Sequence, residues 1–203
     1  MSRPAWVEID LAALQANYAA AKKAHGGRVF AVLKANAYGH GALACAQALA
    51  TASPPADAFA VAFVEEALPL RAAGITQPIL VLEGAFAADD VQLAAQHQLW
   101  LVAHQAQQLQ LIEQHAGAAL HIWLKVDSGM HRVGFAPHDI AAAHARLAAL
   151  PQVEKVSFLT HLARADELDT PAPTEAQLHA FHTATATLTG RRSVSSSAAI
   201  PAW

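Results

Sequence analysis

Short apolar segments alternate strictly with helical ones along this chain of 203 residues, and that order predicts an α/β fold of crossover units on a parallel sheet. Two further observations point to a (β/α)8 barrel of the TIM type. The strand segments are apolar runs of about four to seven residues, as buried strands are. The residues able to do chemistry fall where those runs end: Lys34, Lys125 followed by Arg132, His161, and the serines at 195–197. A barrel gathers its site at the carboxyl ends of its strands, with a phosphate site near the seventh and eighth. About seven strand and helix units can be counted before the chain stops at Trp203. The barrel is therefore expected to be incomplete, a truncated domain over residues 1–203 that lacks an eighth strand.

The first helix is expected from Asp10 to about His25, with Leu11, Leu14 and Tyr18 on one face and the aspartate as N-cap. Val29 to Lys34 reads as the first barrel strand, because Val, Phe and Leu crowd it and a loop with Gly39 and Gly41 follows. An alanine-rich helix then runs to about Thr51, and Pro54 and Pro55 break the chain before a strand over Ala58 to Val61. Val64 to Ala73 is helical and stops at Gly74, and Pro78 leads into the strand Ile79 to Leu82. The same period continues with helix 87–97, strand 99–102, helix 104–115, strand 119–125, helix 137–150, strand 153–159, helix 173–189 and a last strand from Arg192 to Ser195.

Composition narrows the function classes. A hydrophobic content of 54%, a charged fraction of 14% and a net charge of −3 describe a folded, apolar globular chain. The 13 lysines and arginines are scattered, not striped, so nucleic-acid binding has no electrostatic footprint. The amino terminus has no long apolar run and carries Glu8 and Asp10 early. It reads as neither signal peptide nor membrane span, and the cytoplasm is the expected address. Cys45, with no second thiol to pair with, sits among alanines and is expected as a small core residue. The histidines form no metal set: His179 and His182 share a helical face without an acidic partner and read as solvated.

Lys34 ends an apolar strand and opens the segment Lys-Ala-Asn-Ala-Tyr-Gly-His-Gly. Most strand-end lysines are simply solvated where a loop begins. An amine desolvated beside a pocket instead favours its neutral form, a nucleophile able to form a Schiff base with a carbonyl or with pyridoxal phosphate. The longer string AVLKANAYGHG, from Ala31 to Gly41, closely resembles the cofactor-attachment segment of bacterial alanine racemases, pyridoxal-phosphate enzymes of fold type III. That resemblance implies that Lys34 carries pyridoxal 5'-phosphate and that Tyr38, four residues on, lies near its phosphate.

Three further segments carry the same resemblance. The run from Lys125 to Gly134 would by itself be an ordinary βα loop with Arg132 facing water, and it resembles the racemase motif K-V-D-(S/T)-G-M-x-R-x-G. The resemblance implies that Arg132 hydrogen-bonds the phenolic oxygen of the cofactor, and that Lys125, often carbamylated in the family, holds that arginine in place. A guanidinium suits the role because it never gives up its proton. Thr160-His161-Leu162-Ala163-Arg164 matches the family's histidine segment, which implies that His161 packs on the pyridine ring; a lone histidine after a strand would otherwise be structural. Ser195-Ser196-Ser197-Ala198-Ala199 stands where the racemases usually carry Asn-Ser-Ala-Ala, with Ser196 in the place of the asparagine. Ser197 is implied as the phosphate contact, and a frayed serine-rich tail is the alternative.

The resemblance thus implies an isomerase interconverting L-alanine and D-alanine for peptidoglycan, homodimeric when complete, with Lys34 serving one face of the substrate. In the family the other face is served by a tyrosine of the partner's carboxy-terminal β-domain, and an arginine contacts the pyridine nitrogen. Both would lie beyond Trp203, so this chain is expected to be inactive alone. A pyridoxal-phosphate carrier barrel that does not racemise, and a catalytically silent interaction module, are the rival readings.

Overall fold

The computed structural model describes residues 4–167 and 169–196. Seven parallel strands lie in the order β1-β2-β3-β4-β5-β6-β7: Phe30–Val32, Ala58–Val61, Ile79–Val81, Trp100–Ala103, Leu120–Lys125, Val153–Leu162 and Arg192–Ser196. The helices are Leu11–His25 (α1), Ala42–Ala50 (α3), Val64–Ala72 (α4), Ala88–Gln96 (α5), Ala106–Gln114 (α6), Ile140–Ala148 (α7) and Ala172–Thr185 (α8), with a single turn at Lys34–Tyr38 (α2). Sequence order equals sheet order, so every connection is a crossover that packs a helix against the sheet.

The sheet is curled into most of a barrel. Phe30 on β1 and Trp123 on β5 stand four strands apart, about 19 Å in a flat sheet at the usual strand spacing. Their ring centroids are 5.6 Å apart. Among the described residues β1 and β7 form the two edges. Expectation and structure agree on an incomplete α/β barrel.

Strand alternation sorts the side chains into two layers. Phe59, Val61, Ile79, Val81, Leu101, Ile122 and Phe158 point outward into the main core, where helix residues such as Leu49, Leu70, Leu109 and Phe181 meet them. Ala60, Leu80, Val102, Trp123 and Leu159 point inward and pack with Phe30 and Trp100. The inward rows change character along each strand. On β5 they run His121, Trp123, Lys125, and on β6 Ser157, Leu159, His161, from an aromatic floor to a polar carboxyl rim. At the floor the His121 ring lies 4.3 Å from that of Trp100, and its Nε2 is 2.8 Å from Ser157 Oγ.

Local chemistry fixes the ends of the elements. Asp10 Oδ1 accepts from the N–H of Ala12 and Ala13 at 2.8 and 3.0 Å, opening α1, and Gly26 closes it in the left-handed region at φ 72°. Arg71 donates to the carbonyls of Ile75, Gln77, His97 and Gln98, tying together the loops at the amino-terminal face. Cys45 is buried at 2% exposure, as expected of a core residue, and burial pushes its thiol pKa up. His179 and His182 are exposed on α8.

Three elements differ from expectation. β6 continues through Leu162 instead of stopping at Leu159, so His161 belongs to the strand itself. Pairing with β7 extends it, with Thr160, His161 and Leu162 opposite Val194, Ser195 and Ser196, and polar side chains hid that from the sequence. α8 stops at Thr185, where Arg192 donates to the Thr185 carbonyl and, at 3.1 Å, to that of Leu188. The segment after Lys34, expected as a glycine loop, is instead a left-handed turn.

Candidate functional site

The backbone holds Lys34 at the rim of β1 from both sides. Before it, Leu33 N–H donates to Ala60 O of β2 at 2.7 Å. After it, Ala35, Asn36 and Ala37 adopt φ of 52–55° with ψ of 46–49°, and Tyr38 has φ 54°. Each non-glycine residue in this region costs on the order of 1 kcal/mol, so a run of them persists only where its surroundings enforce it. Within the turn, Ala37 N–H donates to Leu33 O at 2.8 Å, Gly39 N–H to Ala35 O at 3.0 Å and Gly41 N–H to Asn36 O at 2.9 Å. Asn36 Oδ1 accepts from Ala42 N–H at 2.8 Å, starting α3. From outside the turn, Glu66 of α4 accepts the Ala35 N–H at 2.8 Å. Lys34 is half-buried, its Nζ 6.0 Å from the centre of the exposed Tyr38 ring.

Lys125 ends β5, and the loop after it closes back onto that strand end. Phe135 N–H donates to Lys125 O and Asp127 N–H to Phe135 O, both at 2.9 Å, so residues 127–134 form an excursion pinned at its base. Inside it, Asp127 Oδ1 accepts from the N–H of Gly129 and His131 at 3.1 and 2.9 Å. Thr160 Oγ1 on β6 donates to Val126 O at 2.9 Å and lies 2.7 Å from Ser128 Oγ, which leaves Ser128 as the donor of that pair. Arg132 sits exposed on this loop. β6 brings His161 alongside. The side chain of Gln177, buried on α8, brackets its strand end: Nε2 donates to His161 O at 3.3 Å and Oε1 accepts from Ala163 N–H at 2.9 Å.

Lys125 and His161 both lie within electrostatic reach of Lys34 and Arg132. Burial lowers the Lys125 pKa, Arg132 and Lys34 lower it further, and Glu83 and Asp127 oppose them. Burial likewise lowers the His161 pKa, followed by the charges of Lys125, Arg132 and Lys34. Burial alone would raise Asp127; hydrogen bonds from the N–H of His131 and Gly129 outweigh it and hold the carboxyl below its ordinary value. The rim therefore concentrates positive charge in a half-buried mouth and disfavours a proton on His161. Such a place can hold an anion and present an amine and a neutral imidazole to it.

Of the residues singled out in the sequence, Lys34, Tyr38, Lys125, Arg132 and His161 stand on one rim, and Ser197 lies outside the described residues. The backbone of Ser195 pairs with His161, so β7 ends on the same rim. Glu66, Glu83, Asp127 and Gln177 join them as contributors beyond the residues that the sequence singles out. Glu66 has a sequence signal, an acid three residues after the helix-opening Phe63, which is half of a capping box. Gln177 has one too, a polar residue four positions before the core Phe181. Asp127 has a local one, an aspartate two residues before Gly129 whose Oδ1 caps its own loop, whereas Glu83 meets Lys125 only when the strands close together. Among the described residues no group of three or more His, Cys, Asp or Glu is placed to hold a metal, and no helix is long and apolar enough to cross a membrane.

Similarity to known proteins runs the length of the chain. The family model of the alanine racemase N-terminal domain matches residues 9–203. The chain is 53% identical over 202 residues to the catabolic alanine racemase of Pseudomonas aeruginosa, and 54% identical over 202 residues to the alanine racemase of an Azoarcus species. Each match covers 99% of this chain and 56% of the relative. Among solved structures, the biosynthetic alanine racemase from Pseudomonas aeruginosa superposes with a TM-score of 0.85 at 44% identity, over 92% of this chain and 51% of that one. The chain spans about half the length of the relatives it matches. With an incomplete parallel barrel and a matched family model over nearly all its residues, the chain belongs to the alanine racemase family, in the part described by that family's N-terminal domain.

Proposed function

We propose that residues 1–203 form the pyridoxal-phosphate-binding barrel domain of an alanine racemase, and that the whole protein interconverts L-alanine and D-alanine. The observation that carries this reading is the convergence of Lys34, Lys125, Arg132 and His161, from three strand ends, into one electrostatic cluster. The donor set fits the cofactor. A surplus of positive charge suits a phosphate and a phenolate, a half-buried lysine suits an aldehyde, and an imidazole held neutral can lie against a pyridine face.

In this reading Lys34 anchors the cofactor, Tyr38 and Ser197 hold its phosphate, Arg132 faces its phenolic oxygen and His161 supports its ring. Bound there, pyridoxal phosphate supplies an electron sink for negative charge at the substrate Cα. The residues do the rest. Lys34 serves one face of alanine, taking the Cα proton there in one direction of the reaction and delivering a proton there in the other, while a second base serves the opposite face. Arg132 keeps a fixed positive charge at the phenolic oxygen, because it cannot deprotonate. Lys125 supports Arg132 from the strand end, and carbamylation would turn its amine into an acceptor for the guanidinium. The opposite-face base belongs to residues outside this chain. A cytoplasmic homodimer is part of the same proposal, and the exposed Phe63 and Phe86 at the barrel mouth suit a covering surface there.

Mixing the purified chain with pyridoxal phosphate should produce the absorbance band of lysine-bound cofactor, and Lys34→Ala should leave only the free spectrum. Equal spectra would remove Lys34 as the anchor. Supplying L-alanine together with a separately made carboxy-terminal portion of a relative then tests racemisation through the appearance of D-alanine.

A further inference from the structure

We infer that Glu66 is a positioning residue for Lys34: its carboxylate holds the left-handed turn that follows the lysine against the neighbouring βα loop. The inference rests on the reading of Lys34 as the cofactor anchor.

Glu66 lies in the first turn of α4, and its two oxygens divide their work between two loops. Oε2 accepts from the N–H of Ala62 and Phe63 at 2.6 and 3.3 Å, at the carboxyl end of β2. Oε1 crosses to β1 and accepts from Ala35 N–H at 2.8 Å, directly after Lys34. A helix-capping role explains the first pair and leaves the second unexplained, since Ala35 is 31 positions away and on another loop. The strain gives that contact a purpose. Ala35, Asn36, Ala37 and Tyr38 all have positive φ and none is glycine, so the turn would relax toward right-handed or extended backbone if released. Relaxation would swing the Cα of Lys34, and with it the ammonium, away from the rim it shares with Lys125 and His161. A carboxylate suits the clamp, because charge-assisted bonds to N–H groups are about twice as strong as neutral ones. The helix amino terminus of α4 favours the same negative charge.

The variants Glu66→Gln, Glu65→Gln and Glu66→Gln combined with Ala35→Gly separate this role from plain capping. Glu65 is exposed in the same first turn, so Glu65→Gln removes an equal helix-end charge without touching Ala35. In the chain without cofactor, Glu66→Gln should speed amide hydrogen exchange at Ala35 by at least about tenfold, with a melting temperature close to that of Glu65→Gln. With pyridoxal phosphate, the same variant should bind about tenfold more weakly, by titration of the lysine-bound absorbance band, while Glu65→Gln matches wild type. Adding Ala35→Gly relieves the strain and should recover most of that affinity, a rescue that loss of a helix cap cannot give. Unchanged exchange at Ala35, or equal cofactor affinity in Glu66→Gln and Glu65→Gln, or no rescue by glycine, overturns the inference. If wild type fails to bind the cofactor at all, the reading of Lys34 falls, and exchange at Ala35 still decides whether Glu66 clamps the turn.

Discussion

Gly134 shows how little freedom the loop bearing Arg132 has. Its φ is 135°, and a Cβ there would lie 2.6 Å from Asp127 N. Gly134→Ala must therefore push the base of the loop off the end of β5, at a cost of about 2 kcal/mol or more. Chemical denaturation should register that loss, and cofactor titration should register weaker binding through a displaced Arg132. His121 makes a prediction of a different kind. Burial, then the charges of Lys155 and Arg191, lower its pKa from 6.5 to about 4. Between those values the unfolded chain binds a proton that the folded chain does not. Its contribution to stability is therefore complete above pH 6.5 and lost as pH falls toward 4, by up to on the order of 3 kcal/mol. Urea denaturation at pH 7 and pH 4.5 should show a smaller acid loss for His121→Phe, which keeps the ring stack and cannot titrate. Neither residue declares this in sequence: Gly134 reads as a loop glycine and His121 as a polar break in an apolar strand, because the obstacle and the burial come from other elements.

At the scale of elements, α8 sets the geometry of the β6 rim. Gln177 brackets the peptide groups around His161, and a Cβ on Gly129 would lie 3.1 Å from its Cγ, so one side chain braces both a strand end and the loop of Arg132. Gln177→Leu preserves volume and removes both hydrogen bonds, leaving half-buried peptide groups without those partners. It should cost about 2 kcal/mol in denaturation and raise exchange at Ala163. The order and kind of the elements were legible from apolar runs, prolines and glycines. Boundaries failed where a partner overrode local preference: β7 lengthened β6 past its apolar stretch, and Arg192 ended α8 early. The left-handed turn at Ala35 to Tyr38 was not legible, because only Asn36 has a local leaning toward that conformation.

For the whole molecule, the described surface leaves apolar groups at the mouth. Phe63 is 40% exposed and Phe86 59%, with ring centroids 6.0 Å apart, and among the described residues β1 and β7 each have one strand neighbour. Unpaired strand edges and contiguous aromatic surface favour association. The chain expressed by itself should self-associate with rising concentration in sedimentation velocity, and Phe86→Ser should reduce it. A monodisperse monomer that melts cooperatively would count against this.

Alternating elements, barrel class and family could be read from the chain alone, and so could the choice of Lys34, Tyr38, Lys125, Arg132, His161 and Ser197 as candidates, because each depends on local pattern or on a contiguous motif. Tertiary structure decided what those residues feel. The curl of the sheet brings Glu83, Lys34 and Arg132 within electrostatic reach of Lys125, Glu66 fixes the turn after Lys34, and Gln177 fixes the end of β6. Such contacts join positions far apart in the chain, and only closure of the parallel strands makes them neighbours.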